Sequence, residues 1–217
     1  MAGGVDAAAR AAAPFLFVGG HLALDFVNTR PVEGGKEAER FAGFGDVLAW
    51  LRTAGTLEGD EAAAAERWED TPDGERVFAE ALALRGAMRD AAAHLAEGTP
   101  VPATAVAAIN RVLEGRPGHL ELAASEGGFV RRFRGRRDAA IHLLAPVAEA
   151  AADLLAGASA VLVKRCANPA CVLYFADATK NRTRRWCSMS GCGNRTKVAA
   201  YHRRRRAAAA PPSADPT

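Results

Sequence analysis

The sequence predicts a mainly α domain with short β-strands, an α+β body, followed by a small module built around four cysteines. Three observations carry this reading. Apolar residues recur at three- and four-residue steps through several stretches of the first 160 residues. Short apolar runs separated by Gly-rich breaks mark strands or turns between them. All four cysteines fall between Cys166 and Cys192. The chain has 217 residues, enough for one good-sized domain and a small appendage. Hydrophobic residues make up 49% but aromatics only 6%, so the core must be built mostly from Ala, Leu and Val.

Residues 1–14 are rich in Ala and Gly and are expected to be disordered. The body then runs over 15–160. Phe15–Val18 and Leu22–Val27 flank Gly19-Gly20 and read as a strand pair or as a strand leading into a helix. Phe44, Val47, Leu48 and Leu51 give residues 41–51 a helical period, with Asp46 near the start. Residues 60–69 read as a weakly amphipathic helix. The longest helix is expected over 73–97, where Val77, Ala81, Leu84, Met88 and Leu95 share a face, Asp73 can cap and Gly98 can terminate. Residues 102–114 are another helix, with Thr104 as an early cap and Val106, Ile109, Val112 and Leu113 inward. Residues 119–123 and 128–134 read as a hairpin around the turn at 125–128. Residues 139–155 form a further helix with Ile141, Leu144, Val147, Leu154 and Leu155 on its apolar side. The helices at 73–97 and 139–155 carry enough apolar surface for a core of their own, so the body is expected to fold without the cysteine module. The tail, 207–217, is rich in Ala and Pro and is expected to be disordered.

The charges are unevenly placed. Lys164 to Arg206 holds twelve Lys/Arg and a single acid, Asp177, a balance of +11, while residues 1–163 hold 16 Lys/Arg against 23 Asp/Glu, a balance of −7. An acidic body with a basic end suits a contact with a polyanion; the plain alternative is a solvated basic surface. No apolar run reaches the roughly 18 residues that span a bilayer. The N-terminus does not read as a secretory signal, because Asp6 stands where a positive region belongs and Pro14 and Gly19-Gly20 interrupt the apolar stretch. The protein is therefore expected to be cytoplasmic, with no membrane partner.

The cysteines are spaced Cys-x4-Cys-x15-Cys-x4-Cys. Two close pairs separated by a loop suit one structural Zn2+ held by Cys166, Cys171, Cys187 and Cys192. Four thiolates complete the tetrahedron and leave no position for substrate. Two disulfides are the alternative, disfavoured in a cytosolic chain. Residues 167–170 read as a turn, Val172–Phe175 as one hairpin arm, 177–183 as a polar turn and 184–186 as the returning arm. Gly191 and Gly193 bracket Cys192, and a helix is expected from Asn194 to about Arg206. Knuckle, hairpin, knuckle and helix make a treble-clef-like order. The formal −2 of a four-thiolate zinc centre would be offset by Arg182, Arg185, Arg195 and Lys197.

The same segment supplies the DNA-binding candidates: Arg182, Arg184, Arg185, Asn194, Arg195, Lys197, Arg203, Arg204, Arg205 and Arg206. Asn194 and Arg195 are side chains that can read base edges. At 100° per residue Arg195, Ala199, His202 and Arg206 share one face, and Val198 and Tyr201 share another that is expected to pack on the hairpin with Trp186. The rival reading is a zinc-stabilised interaction module whose arginines meet an acidic protein partner. In the body, His21, Asp25 and Asn28 stand in an apolar stretch and could line a pocket for a small-molecule effector; more often such groups satisfy buried backbone or cap a helix. No nucleophile elbow, phosphate loop, dinucleotide fingerprint or metalloprotease motif occurs, so an enzyme is not expected.

The run Trp186-Cys187-Ser188-Met189-Ser190-Gly191-Cys192-Gly193-Asn194-Arg195-Thr196-Lys197, with Cys166-Ala167-Asn168-Pro169-Ala170-Cys171 and Asn181-Arg182-Thr183-Arg184-Arg185 upstream, resembles the CGNR zinc-finger family. The finger would span 161–206. The run Gly19-Gly20-His21-Leu22-Ala23-Leu24-Asp25-Phe26-Val27-Asn28-Thr29, with Leu48 to Leu51 downstream, resembles the ABATE domain that usually precedes this finger. The resemblance implies four cysteine ligands and a stress-induced bacterial transcription regulator. In such a protein the finger would bind duplex DNA and the N-terminal domain would sense a ligand or form a homodimer.

Overall fold

Leu22–Val27 is a short helix, α1, and it lies at the centre of the body. The computed structural model describes residues 15–115, 118–125, 128–135, 139–157 and 160–209. Of the segments expected to be disordered, 1–14 and residues 210–217 of the tail, with the tip of the hairpin turn, lie outside those residues, whereas 207–209 are helical. Residues 15–18 form no strand. They lead to Gly20, whose φ of +67° is the left-handed region that glycine adopts without strain, and the chain turns there into α1.

Two short strands follow, β1 Val32–Glu33 and β2 Lys36–Glu37, joined through Gly34 and Gly35. Both glycines have positive φ, as a two-residue hairpin turn requires. Helix α2 is Phe44–Thr53, and Asp46 Oδ2 accepts from Ala42 N at 2.7 Å ahead of its first turn. Helix α3, Gly59–Ala65, passes into a 3-10 turn at Glu66–Trp68.

Helix α4, Pro72–Glu97, is the longest, 26 residues. Its cap is Thr71 rather than Asp73: Thr71 Oγ1 accepts from Gly74 N at 3.2 Å, and Pro72, which has no N–H to satisfy, takes the first helical position. Gly98, at φ +68°, ends it as expected. Helix α5 is Ala103–Glu114, capped by the backbone at Pro102 and not by Thr104. That start sets the inward row to Ala105, Ile109 and Val112, and leaves Val106 38% exposed instead of buried. Strands β3 Gly118–Ser125 and β4 Gly128–Gly135 pair antiparallel as the expected hairpin.

The single helix expected over 139–155 is two elements: a 3-10 turn at Ala140–Leu144 and helix α6, Ala145–Ala156. Pro146 explains the break, since it can donate no hydrogen bond back to the preceding turn and so favours the first turn of a new helix.

The core of the body gathers around α1. Phe26 packs edge-on to Trp50 (centroids 5.0 Å apart) and against Phe41 (5.6 Å). Leu84, Ile109, Leu144 and Val147 close it from α4, α5, the 3-10 turn and α6. Arg85 is buried with them, placing Nη1 2.6 Å from Glu39 Oε1 and 3.0 Å from Thr29 Oγ1, and Nη2 on Glu39 Oε2. A charge removed from water needs such a two-pronged partner.

The C-terminal part begins with β5, Val163–Arg165, and β6, Tyr174–Ala176, and ends in α7, Asn194–Ala209, three residues beyond the expected stop at Arg206. β6 pairs antiparallel with β5, in register Lys164↔Phe175, not with residues 184–186. The expected hairpin therefore has the right first arm and the wrong second one. Strand periodicity then gives β6 two masters. Phe175 points into a small cluster with Cys166, Cys171, Leu173, Cys187 and Cys192, while Tyr174 and Ala176 point into the helical core with Val163. Leu16 and Val18 of the N-terminal segment in turn pack on the cysteine cluster. The two cores are thus interlocked, contrary to the expectation of a body whose core is separate.

Candidate metal centre

The four cysteines come from two turns. Cys166 and Cys171 bracket the reversal between β5 and β6, where Cys171 N donates to Asn168 O at 2.9 Å. Cys187 and Cys192 sit on the second turn, a single π-helical turn at Met189–Gly193 that leads directly into α7. Ser188 caps that turn by accepting from Gly191 N. All four thiols are buried and unbridged.

Their sulfur atoms all lie within 4.8 Å of one another, and Cys171 Sγ is 3.9 Å from Cys187 Sγ. A tetrahedron with Zn–S bonds of about 2.3 Å has sulfur–sulfur edges of about 3.8 Å, whereas a disulfide needs about 2.05 Å. The arrangement fits one zinc ion and not two disulfides. The ion would be held by these four side chains, which complete its tetrahedron, so its role is structural.

Two of the sulfurs receive hydrogen-bond donors. Cys187 N approaches Cys166 Sγ at 3.5 Å, Asn168 Nδ2 donates to Cys192 Sγ at 3.3 Å, and Arg195 Nη2 reaches the same sulfur at 3.4 Å. Thiol donation from Cys171 and Cys187 draws the Cys166 thiol far below its ordinary range. The same hydrogen bonds, with burial, push Cys171 up to about 11 and Cys187 higher still. Sulfurs this close cannot all ionise alone, and a dication removes that conflict.

Around the metal ligands the arginines divide into two groups. Arg184 is internal: its Nη2 donates to Val18 O and Cys187 O, its Nε to Trp186 O at 3.0 Å, and its guanidinium lies 4.3 Å from the Phe175 ring centre. Its donors thereby tie the second cysteine turn to the N-terminal segment. Arg182, Arg185 and Lys197 are exposed, as are Asn194, Arg195 and Arg203 to Arg206 on α7. Arg185 lies over Trp186, and Arg195 touches the Cys192 sulfur, so Arg195 supports the metal site whatever else it meets.

Val198 and Tyr201 correct a second expectation. They do not pack on the hairpin; they are 55% and 51% exposed. The half-buried side of α7 is instead Thr196 and Ala200, and Thr196 Oγ1 donates to Cys192 O at 2.8 Å.

The residues expected to line an effector pocket satisfy backbone instead. His21 caps α1, its Nδ1 accepting from Ala23 N. Burial lowers its pKa against the opposing charge of Asp153, which keeps the ring neutral and able to accept. Asp25 Oδ1 accepts from Gly19 N at 2.7 Å. Asn28 holds both backbone groups of Tyr174, with Nδ2 donating to its O at 2.8 Å and Oδ1 accepting from its N at 3.0 Å. The gap between α1, α4, α5 and α6 is apolar and about 10 Å³, room for about one water; none of the three residues lines it.

Two structural groups escaped the sequence reading. Asn168 reaches a metal-ligating sulfur. Asp177 is buried and accepts from Lys164 Nζ at 2.7 Å, Thr179 Oγ1 at 2.6 Å, Thr179 N at 3.0 Å and Arg184 N at 3.0 Å. Burial would raise its carboxyl, but the Lys164 and Thr179 hydrogen bonds outweigh that and hold it at about 2. The signal was available: Asp177 is the one acid among twelve cations.

Two family models match the chain. Residues 20–158 match the family model ABATE, described as a putative stress-induced transcription regulator. Residues 163–205 match the model of the CGNR zinc finger. No curated protein matches the chain.

Proposed function

Because the chain belongs to the ABATE family and ends in a CGNR zinc finger, we propose that it is a transcription regulator whose zinc-loaded finger binds duplex DNA. The observation that carries this is the exposed basic surface of α7: Lys197 and Arg203 to Arg206 stand on one 16-residue helix with no acidic residue in it. Arg182 and Arg185 add two exposed cations just ahead of the second cysteine turn. The acidic body has the opposite balance and would be repelled by the duplex, so the polyanion meets the finger.

On this reading zinc shapes the finger and takes no part in chemistry, and the protein is not an enzyme. The N-terminal domain contributes by self-association as a homodimer or by sensing an effector. The gap among its helices is too small to argue for the effector.

A salt titration tests the reading. If about four to six cations meet phosphates, affinity for any duplex should fall with log salt at a slope of roughly −4 to −5. The exposed apolar pair Val198 and Tyr201 equally suits a protein partner with an acidic surface. No binding of duplex at ~50 mM salt by the zinc-loaded full chain would reject DNA in favour of that partner.

A further inference from the structure

Helix α7 presents a stripe that electrostatics alone does not require. Thr196 and Ala200 turn toward the finger. On the opposite side, at steps of four, three and four, stand Asn194, Val198, Tyr201 and Arg205. Val198 and Tyr201 are more than half exposed in the middle of this stripe. Tyr201 is braced from both sides, with the Arg205 guanidinium 5.9 Å from its ring centre and the His202 ring edge-on at 5.7 Å. Basic side chains flank the stripe, Arg195 and Arg206 along one side and Lys197 and Arg204 along the other.

A helix that only followed phosphates would gain nothing from a valine and a tyrosine at its crest. An aqueous surface would also favour polar groups there. The DNA major groove, about 12 Å wide, admits an α-helix, and its one apolar group is the C5-methyl of thymine. A helix of 16 residues is about 24 Å long and can cover the groove while its lateral cations reach both backbones. Asparagine is the side chain whose donor and acceptor match adenine N7 and N6.

We propose that the crest of α7 reads A·T pairs in the major groove, with Val198 and Tyr201 packed on thymine methyls and Asn194 hydrogen-bonded to an adenine edge. This rests on the DNA-binding reading above and adds to it the groove, the base class and the reading residues. Arg204 and Arg206, one on each flank, then position the helix on phosphates and carry no sequence information.

The test uses zinc-loaded full-length protein. A duplex selected from a random pool is resynthesised with deoxyuridine for thymine, which removes the methyl groups and leaves every base-edge hydrogen bond. Wild-type affinity should fall about fourfold per contacted methyl, the worth of one buried carbon. Val198→Ala should bind the thymine duplex more weakly, lose the share of the thymine/deoxyuridine difference that one methyl contact supplies, about fourfold, and keep both its thermal midpoint and its salt slope. Equal binding of the two duplexes by wild type overturns the methyl contact while leaving DNA binding intact. No binding of any duplex overturns both readings. A wild-type dimer that Val198→Ala converts to monomer, seen by sedimentation without DNA, assigns the stripe to self-association and overturns the proposal.

Discussion

Asn28 and Tyr174 are 146 residues apart, yet the side-chain amide of one holds both backbone polar groups of the other, at 2.8 and 3.0 Å. β6 is paired with β5 on one edge. On its other edge Asn28 takes the place of a neighbouring strand, and Gly19 O continues the row by accepting from Ala176 N at 2.7 Å. The first helix of the body and the strand between the two cysteine pairs are therefore one hydrogen-bonded unit.

Removing that amide should be costly. Asn28→Ala leaves a buried N–H and a buried C=O of Tyr174 without partners, at roughly 1–3 kcal/mol each. The thermal midpoint should fall by about 5–15 °C for a chain of this size. Asn28→Asp keeps the acceptor but loses the donor and buries a charge, so it should not rescue. A melt of Asn28→Ala within a degree of wild type would show that β6 is held by β5 alone.

Zinc removal should reach beyond the finger. Metal analysis is expected to give one zinc per chain. Chelation should then raise amide exchange not only at 163–195 but also at Leu22–Asn28, because Asn28 loses the strand it holds. A chain ending near residue 160 lacks Val163, Tyr174 and Ala176 from the helical core and should melt below the full chain or fail to melt cooperatively. Unchanged exchange over α1 after chelation would restore the picture of two independent cores.

Arg184 and the α7 arginines should separate in paired assays. Arg184→Ala strips the hydrogen bonds to Val18 O, Trp186 O and Cys187 O and should cost roughly 2–4 kcal/mol of stability. The salt slope of DNA binding by the fraction that remains folded should not change. Arg203→Ala with Arg204→Ala should leave the melt in place and flatten the slope by about 0.9 per lost phosphate contact. The reverse pattern would put Arg184 on the DNA and the α7 pair in the fold.

Asp25 gives the protein a pH signature. Burial raises its carboxyl to about 6, although Gly19 N, Val18 N and Arg184 oppose the shift. A carboxyl raised in the folded state binds its proton more tightly there than in the unfolded chain. Its contribution to stability therefore falls as pH rises from the unfolded value near 4 to about 6, and stays low above. Asn at this position keeps the acceptor for Gly19 N without the charge. Asp25→Asn should melt above wild type at pH 7.5, and the difference should shrink by pH 5; comparing the two proteins at each pH cancels any shared loss of zinc. A difference that does not change with pH would mean that Asp25 is not protonated in this range. Asp177 has the opposite sign, with stability lost only as pH falls below about 4 toward 2.

Where sequence reading succeeded, the information was local. The ligand set of the zinc site follows from two cysteine pairs at fixed spacing, and α4 follows from a long apolar period closed by Gly98. The splitting at Pro146 and the cap at Thr71-Pro72 were also written in the chain and went unread. Other questions had no local answer. β6 is three residues long, so its side-chain alternation cannot say which segment pairs with it; only the meeting of β5 on one edge and Asn28 on the other does. A polar residue in an apolar run, such as His21, Asp25 or Asn28, looks the same whether it faces a ligand or a bare backbone group. An arginine near a cysteine looks the same whether its donors are spent on carbonyls, as in Arg184, or left in solvent, as in Arg203. By itself the sequence determined the metal, its four ligands and the helical character of the body, because these depend on spacing along the chain. The tertiary structure alone decided that the finger and the body share a strand and which cations remain exposed, because hydrogen-bond partners are chosen by proximity across the fold.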